Sequence, residues 1–217
     1  MKRRFDASLY LILDLALVSA RPIDRLVASA VAGGVTLVQL RGKGIPPREL
    51  CGRGAQVKAL LDPHKIPLIV NDDVAVALAI EADGVHLGQD DLPPTAARLL
   101  LGEEALIGLS VGSPAEAVDV DEAVIDYVSI GPIYGTSTKS DAGPAIGVEG
   151  FDRVRRLFPD LPAVAIGGIT PDNAADVVRA GATGLAVASA LCRAADPAVV
   201  ARDLRRRIAS ASGPAAP

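Results

Sequence analysis

The sequence predicts an α/β fold, a single-domain (β/α)8 barrel of the TIM type. Eight short runs rich in leucine and β-branched residues alternate with eight longer, alanine-rich amphipathic stretches. The short runs are apolar throughout, which is typical of parallel strands that are covered by helices. A chain of 217 residues is long enough for one such barrel. Eight strand–helix units favour a closed barrel over an open sheet.

The predicted strands are spaced fairly evenly, and turn or capping residues follow each of them. These strands are Leu9–Leu13, Thr36–Leu40, Pro67–Val70, Gly84–Leu87, Leu106–Ser110, Tyr127–Ile130, Ala163–Ile166 and Gly184–Ala188. The predicted helices are Pro22–Ala32, Pro46–Leu61, Val74–Ile80, Pro93–Leu101, Pro114–Val120, Val148–Phe158, Asn173–Ala180 and Pro197–Ala209.

We assign residues 1–209 to the barrel, because no segment has the composition of a linker between domains. Several helices begin with a proline behind a capping residue, as at Ser113-Pro114 and Asp196-Pro197. Residues 210–217 are small, polar and proline-rich, and we expect them to form a disordered tail.

Composition argues against nucleic acid as a partner. The chain has 22 basic and 26 acidic side chains, a formal net charge of −4, and 3% aromatic residues. Binding to phosphate backbones needs concentrated Lys and Arg, and single-strand binding needs aromatic platforms. The basic run from Arg202 to Arg207 is better interpreted as the solvated face of the last helix.

The sequence also predicts no membrane partner and a cytoplasmic location. The apolar segment Leu9–Val18 is interrupted by Asp14, so we interpret it as a buried strand rather than a leader. Cys51 and Cys192 are far apart and have no CxxC or His-rich neighbours, which predicts reduced thiols rather than a disulfide or a metal knuckle. We expect small-molecule phosphate substrates, whereas the oligomeric state does not follow from the pattern.

Reactive groups of such barrels lie at the carboxyl ends of the strands. The second strand leads into QLRGK, in which Gln39, Arg41 and Lys43 share one side of an extended chain. An amide and two cations suit a polar heterocycle that bears phosphate, since Arg binds phosphate bidentately and Lys acts as a point charge. The alternative is an ordinary solvated strand end.

Acidic residues follow the third and fourth strands. Asn71-Asp72-Asp73 ends one strand and Gly88-Gln89-Asp90-Asp91 follows the next. Adjacent parallel strands lie about 4.8 Å apart, so carboxylates from both loops can converge on Mg²⁺ that also holds a diphosphate. The same aspartates could instead cap the following helices. The spacing alone leaves both interpretations open.

The fifth strand ends at Ser110, inside a run with the letters of a serine-hydrolase motif, Gly108-Leu-Ser-Val-Gly112. No histidine follows His86, so the required later base is missing and the hydrolase interpretation fails. We therefore interpret Ser110 as a hydroxyl donor to an anion. His86 has no partner histidine in the sequence, which favours a hydrogen-bonded structural role.

The remaining loops suggest phosphate binding. The connection of residues 131–147 is long enough for a lid or binding loop, although a plain flexible loop is the alternative. It supplies Thr136, Thr138 and Lys139. Gly167-Gly168 after the seventh strand and Ala188-Ser189 after the eighth fit the phosphate cradle of this fold.

These motifs together resemble the thiamine phosphate synthase family. The resemblance rests on Gln39-x-Arg41-x-Lys43, Asn71-Asp72, the run from Gly84 to Asp91, Gly131-Pro-Ile-Tyr with Thr136-x-Thr138-Lys139, and Gly167-Gly168-Ile-Thr. It covers nearly the whole chain and keeps the order of the motifs.

The resemblance implies a transferase that joins 4-amino-2-methyl-5-(diphosphooxymethyl)pyrimidine to 4-methyl-5-(2-phosphooxyethyl)thiazole with release of diphosphate. It implies that Mg²⁺ is bound by Asp72 and Asp91. It also implies that the pyrimidine diphosphate is bound by Gln39, Arg41, Lys43, Asn71, Ser110 and Lys139, of which Arg41, Lys43, Ser110 and Lys139 would be catalytic. The residues implied for the thiazole phosphate are Thr136, Ser137, Thr138, Gly168, Ala188 and Ser189.

Two positions depart from the family pattern. Gly42 replaces an acidic residue, which we expect to loosen the loop, and Gly112 stands where a histidine often follows the serine. The related thiazole tautomerase needs that histidine, so its absence disfavours a tautomerase-like enzyme. Other phosphate-sugar barrel enzymes and an inactive sensor of thiamine precursors are further alternatives. Asp72, Asp91 and Lys43 disfavour both.

Overall fold

The computed structural model describes residues 5–18, 21–135 and 143–211. Within these ranges, eight parallel strands form a closed barrel in the order β1 to β8. They are β1 Leu9–Asp14, β2 Leu37–Arg41, β3 Leu68–Asn71, β4 Gly84–Leu87, β5 Leu106–Val111, β6 Tyr127–Ile130, β7 Ala163–Ile166 and β8 Gly184–Val187. The predicted (β/α)8 fold is confirmed.

Helices cover the outside of the barrel. They are α1 Ile23–Ala32, α2 Pro47–Leu61, α3 Val74–Ala79, α4 Pro94–Leu101, α5 Pro114–Ala117, α6 Gly147–Arg155, α7 Ala174–Arg179, α8 Ser189–Cys192 and α9 Pro197–Ala211. A 3-10 turn, Asp62–His64, follows α2. None of the helices in the described ranges is long and apolar enough to cross a bilayer.

The strands were predicted more closely than the helices. The bounds of β4, β6 and β7 equal the predicted ones, whereas β1 continues one residue further, to Asp14. The helix α5 ends at Ala117, three residues before its predicted end, and the short α8 was not predicted. Helix α9 runs to Ala211, two residues beyond its predicted end, and the rest of the predicted tail lies outside the described residues.

Alternation along the strands separates two cores. In β1, Leu9, Leu11 and Leu13 pack against the helices, whereas Tyr10 and Ile12 face the barrel axis. The barrel interior is a packed layer that also contains side chains from most of the other strands: Leu37, Ile69, Leu106, Tyr127, Val164 and Ala186. This layer closes the barrel below the carboxyl ends, so a ligand can enter only from that end.

A buried ion pair fixes α4 to the amino ends of two strands. The guanidinium of Arg98 lies 2.8 Å from Oδ2 of Asp126, and the two side chains are 10% and 5% exposed. Arg98 also donates to the carbonyls of Ala105 and Val124, and Asp126 accepts from the backbone N–H of Ile107 at 2.8 Å. The pair thereby connects α4, β5 and the residues before β6.

We expect Arg98→Leu to destabilise the barrel by roughly 3–5 kcal/mol, because it leaves the buried carboxylate of Asp126 without its cation. Urea unfolding would measure this loss. The matched control is Arg156→Leu, which removes an ion pair to Asp152 from a side chain that is 76% exposed. The control should cost less than about 1 kcal/mol. Equal losses in the two variants would contradict this role for Arg98.

Candidate active site

A cavity of about 720 Å³ opens at the carboxyl ends of the strands. It is lined by every predicted site residue that falls within the described residues: Gln39, Arg41, Lys43, Asn71, Asp72, Asp91, Ser110, Gly168, Ala188 and Ser189. The other four predicted residues, Thr136, Ser137, Thr138 and Lys139, lie outside the described residues. The sequence prediction therefore named side chains from strand ends all around one mouth. Their individual roles stay predictions.

The interior faces of β1 and β2 supply one side of the cavity. In the register of these strands, Ile12 lies beside Gln39 and Asp14 lies beside Arg41. Because side chains alternate along a strand, Gln39 and Arg41 both face the axis. Gln39 is buried at the base of the cavity, and Arg41 lies one pleat closer to the mouth.

Arg41 is held by an acidic residue that the sequence analysis treated only as part of a buried strand. Asp14 is 2% exposed, and its Oδ2 accepts a hydrogen bond of 2.8 Å from Arg41, which is itself 12% exposed. The other oxygen of Asp14 accepts from the backbone N–H of Ala16 at 2.9 Å. Because both oxygens of this carboxylate are hydrogen-bonded, the carboxylate is held in place and in turn fixes the guanidinium of Arg41. A charged residue at the end of an otherwise apolar strand was the available signal.

The aspartates after β3 divide between the two roles that the sequence left open. Asp73 caps α3, because its Oδ1 accepts from the N–H of Val76 at 2.9 Å. Asp72 has a φ of 63°, a conformation that is uncommon outside glycine, and its exposed side chain lines the cavity. The N–H of Asp72 donates to the carbonyl of His86 at 2.9 Å, which ties this strained turn to β4.

The aspartates after β4 do not cap the next helix. Helix α4 is preceded by Pro93 and has no side-chain cap. Instead, Oδ2 of Asp91 accepts from the N–H of Gly88 at 2.6 Å, so the carboxylate folds back over its own loop. Asp90 and Asp91 both line the cavity, on the same side as Asp72. Capping therefore accounts for Asp73 and for neither Asp72 nor Asp91.

Glycines shape the opposite side of the cavity. Gly167 and Gly168 have φ values of 101° and 63°, and a Cβ at Gly168 would lie 2.7 Å from Cβ of Tyr134. Asn173, which the sequence analysis did not single out, holds this turn: it donates to the carbonyl of Gly168 and accepts from the N–H of Thr170. After β8, Ser189 is the first residue of the short helix α8, and Ala188 directly precedes it.

The two departures from the family pattern have different surroundings. A Cβ at Gly42 would lie 2.6 Å from Cδ1 of Leu50, so this part of the loop is packed against α2. We expected Gly42 to loosen the loop, but the backbone at Gly42 is closely packed against Leu50. Gly112 has more room, and its N–H donates to Oε2 of Glu116 at 2.9 Å.

A chain of hydrogen bonds crosses the barrel beneath the cavity. It joins Gln39, Tyr10, Tyr127, His86 and Ser110, in that order, with distances between 2.8 and 3.1 Å. The predicted hydrogen-bonded role of His86 is confirmed, but its partners were not foreseen. Both tyrosines lie in apolar strands, where their rings gave the signal of ordinary core residues.

Comparison with known proteins identifies the family. The family model described as thiamine monophosphate synthase matches residues 9–191. The thiamine-phosphate synthase of Azorhizobium caulinodans is 51% identical over 205 residues, which cover 94% of this chain and 96% of that protein. The chain belongs to the thiamine phosphate synthase family. The family's enzyme from Xanthobacter autotrophicus is 49% identical over 97% of this chain and 100% of its own length.

The fold comparison agrees with this assignment. Thiamine phosphate pyrophosphorylase from Pyrococcus furiosus superposes with a TM-score of 0.85 at 35% identity, over 96% of this chain and 98% of that one. Membership of the thiamine phosphate synthase family makes the chain a transferase of thiamine biosynthesis.

Asp14 and Arg41 give a prediction whose sign is informative. We expect Asp14→Ala to weaken the binding of inorganic diphosphate by about tenfold or more, because a lost hydrogen bond between charged groups costs roughly 1.5–3 kcal/mol. Isothermal titration calorimetry would measure the affinity, and a thermal melt would check the fold. Coulomb's law alone predicts the opposite, since removing a negative charge favours an anion.

Asp14→Asn serves as the control for this test. It keeps an oxygen for the N–H of Ala16 but loses the charge, so we expect an intermediate affinity. Tighter diphosphate binding by Asp14→Ala would show that Asp14 acts as a competing charge and not as a support for Arg41.

Proposed function

We propose that this transferase joins 4-amino-2-methyl-5-(diphosphooxymethyl)pyrimidine to 4-methyl-5-(2-phosphooxyethyl)thiazole, forming thiamine phosphate and diphosphate. The observation that carries the proposal is the convergence on one cavity of an amide, two cations and two aspartates that do not cap helices. The amide suits the ring of the pyrimidine substrate, and the cations suit its diphosphate.

The charges in the cavity fit Mg²⁺. Asp72, Asp90 and Asp91 would repel a diphosphate unless a cation lay between them. Within residues 5–18, 21–135 and 143–211, no three His, Cys, Asp or Glu side chains form a group that could hold a metal. One or two carboxylates with water and substrate phosphate are the usual ligands of Mg²⁺. We assign Asp72 and Asp91 to this role.

The reaction that we propose is dissociative. The bond between the methylene carbon and the diphosphate oxygen breaks, and its electron pair leaves with the diphosphate. The aminopyrimidine ring delocalises the positive charge on the methylene carbon. The thiazole nitrogen then donates its lone pair to that carbon and forms the new bond. No enzymic nucleophile is needed, so catalysis consists of positioning and electrostatic stabilisation.

The chain's own residues would stabilise the leaving group. Arg41, fixed by Asp14, and Lys43 would bind the diphosphate oxygens, and Ser110 would donate a hydrogen bond to them. Bound Mg²⁺ would neutralise the charge that develops on the diphosphate. Asn71 at the end of β3 would contact the same substrate. Lys139 would add a further cation from outside the described residues.

The thiazole phosphate would lie on the other side of the cavity. The turn at Gly168 and the start of α8 at Ala188 and Ser189 present backbone N–H groups, which bind phosphate well. Thr136, Ser137 and Thr138 would complete this cradle.

We propose a reducing cytoplasm as the compartment of the reaction. The thiols of Cys51 and Cys192 are free, and burial raises the pKa of Cys192 to about 11, which keeps it unreactive.

The metal assignment predicts a large difference between neighbouring aspartates. Asp72→Asn should lower Mg²⁺-dependent formation of thiamine phosphate from the two substrates by at least about 100-fold, because an amide cannot neutralise the cation. Asparagine tolerates the positive φ of this position, so the backbone is preserved. Product and diphosphate release would both be measured over a range of Mg²⁺ concentrations.

Asp73→Asn is the control, because asparagine is an equally good cap and the variant loses the same charge one residue away. It should retain activity within about threefold of wild type. Equal losses in both variants would contradict a metal role for Asp72. A wild-type protein that binds the thiazole phosphate but forms no product would favour a sensor or a tautomerase-like enzyme.

Isotope exchange would test the dissociative route. With ¹⁸O in the bridging position of the pyrimidine diphosphate, reversible bond breaking should move the label to non-bridging positions in recovered substrate. We expect Lys139→Ala to slow this exchange and the single-turnover rate together, because a cation near the leaving group stabilises both. Unaltered rates in the variant would contradict the proposed role of Lys139.

A further inference from the structure

The hydrogen bonds beneath the cavity connect two residues that would contact different parts of the proposed substrate. Nε2 of Gln39 donates to the hydroxyl of Tyr10 at 2.8 Å, and that hydroxyl lies 2.9 Å from the hydroxyl of Tyr127. The hydroxyl of Tyr127 lies 3.1 Å from Nδ1 of His86, and Nε2 of His86 lies 2.9 Å from Oγ of Ser110. Both ends, Gln39 and Ser110, line the cavity.

Counting hydrogens gives this chain a direction. A phenol has one hydrogen to donate. The hydroxyl of Tyr10 accepts from Gln39, so its hydrogen goes to Tyr127, and the hydrogen of Tyr127 goes to Nδ1 of His86. A neutral imidazole that accepts at Nδ1 carries its hydrogen on Nε2 and donates to Ser110. The hydroxyl of Ser110 accepts that bond and can then donate into the cavity.

Burial supports this count. Tyr10 and Tyr127 are both fully buried, and desolvation raises the pKa of each phenol well above 10, so each keeps its hydrogen. A buried hydroxyl whose hydrogen has no acceptor is costly, which disfavours any arrangement in which two hydroxyls point at each other. The five side chains therefore change direction together or not at all.

The barrel makes room for the chain at Gly108. Across β4, β5 and β6, the register places His86, Gly108 and Tyr127 side by side. A Cβ at Gly108 would meet the ring carbon and hydroxyl of Tyr127 and would lie 2.5 Å from Nδ1 of His86. Without that atom, the two rings stack with centroids 5.5 Å apart and an interplanar angle of 25°. The strands thus bring residues two strands apart into hydrogen-bonding contact.

We propose that Tyr10, Tyr127 and His86 form a polarity relay, which makes Ser110 a hydrogen-bond donor when the carbonyl of Gln39 faces the ligand. The inference rests on the proposed function, because it takes the ligand to be an aminopyrimidine diphosphate. With Nε2 of Gln39 on Tyr10, Oε1 accepts from the exocyclic amine of the ring. At the other end, Ser110 donates to the diphosphate. The three relay members are positioning residues.

The relay also selects the ring substituent. An oxo group in place of the amine presents an acceptor, so Gln39 would have to turn its NH₂ group toward the ligand. All four hydrogen bonds would then reverse, and Ser110 would donate its hydrogen bond to His86 instead of to the diphosphate. We expect the 4-oxo analogue to bind at least about tenfold more weakly than the 4-amino compound, since one end always lacks a partner.

Nitrogen-15 NMR of the imidazoles tests the relay without any ligand. The chain has two histidines, His64 and His86, so ¹⁵N-histidine labelling gives two rings, and a His64→Gln variant assigns them. We expect the relay to hold a proton on Nε2 of His86 and none on Nδ1. Tyr127→Phe removes the donor to Nδ1 and should shift that nitrogen's resonance. Tyr134→Phe, which removes the chain's third tyrosine hydroxyl, should leave it unchanged.

Calorimetric binding of the 4-amino pyrimidine diphosphate and its 4-oxo analogue tests the coupling. Wild type and Tyr134→Phe should show the same preference for the amino compound, and Tyr127→Phe should reduce that preference by about fivefold or more. A proton on Nδ1 of His86, or on both nitrogens, would overturn the relay. So would an unchanged preference in Tyr127→Phe. Failure of both pyrimidines to bind, with the Nε2 proton present, would refute the proposed function and leave the resting relay intact.

Discussion

Parallel strands that close into a barrel must each turn one face toward a common axis, and they all end at the same mouth. This constraint determines where the described candidate site residues lie. The inward-facing side chains of each strand lie either in the packed layer around Tyr10 and Tyr127 or in the cavity above it. Polar residues can occupy the inward positions only if they find partners there, because the interior is closed to solvent from below. The site therefore depends on the hydrogen-bonded side chains in the barrel core beneath it.

The electrostatics of the mouth follow from how its charges are held. Asp14 is paired with Arg41 and accepts a backbone N–H, so its charge is largely used within the protein. The aspartates after β3 and β4 follow the strands next to β2, and among them Asp73 is a helix cap. The cations at the end of β2 and the aspartates after β3 and β4 therefore lie at adjacent parts of one cavity. A diphosphate bound to the cations would leave the aspartates to a metal ion, which is the physical basis of the metal-dependent reaction that we propose.

Much of this architecture could be predicted because it depends on local pattern. The bounds of β4, β6 and β7 follow from apolar runs with clear turn signals, and the strand-end motifs identified the residues of the mouth. What escaped prediction depends on which strands are neighbours. Asp14 looked like the end of a strand until its register with Arg41 was known. Tyr10 and Tyr127 meet only because the barrel is closed, and no spacing along the chain records that contact.

The glycine at position 108 ties together the fates of residues on three strands. Any larger side chain there would occupy the space of the Tyr127 ring, so a chain with alanine at this position must give up either the tyrosine or the stacked histidine. The three positions should therefore vary as a set among related proteins, although they are separated by 22 and 19 residues along the chain. A relative that keeps the mouth but has lost this set would have to orient its amide and its serine by different means. Sequence variation at Gly108 would then indicate whether the hydroxyl of Ser110 is oriented by the relay.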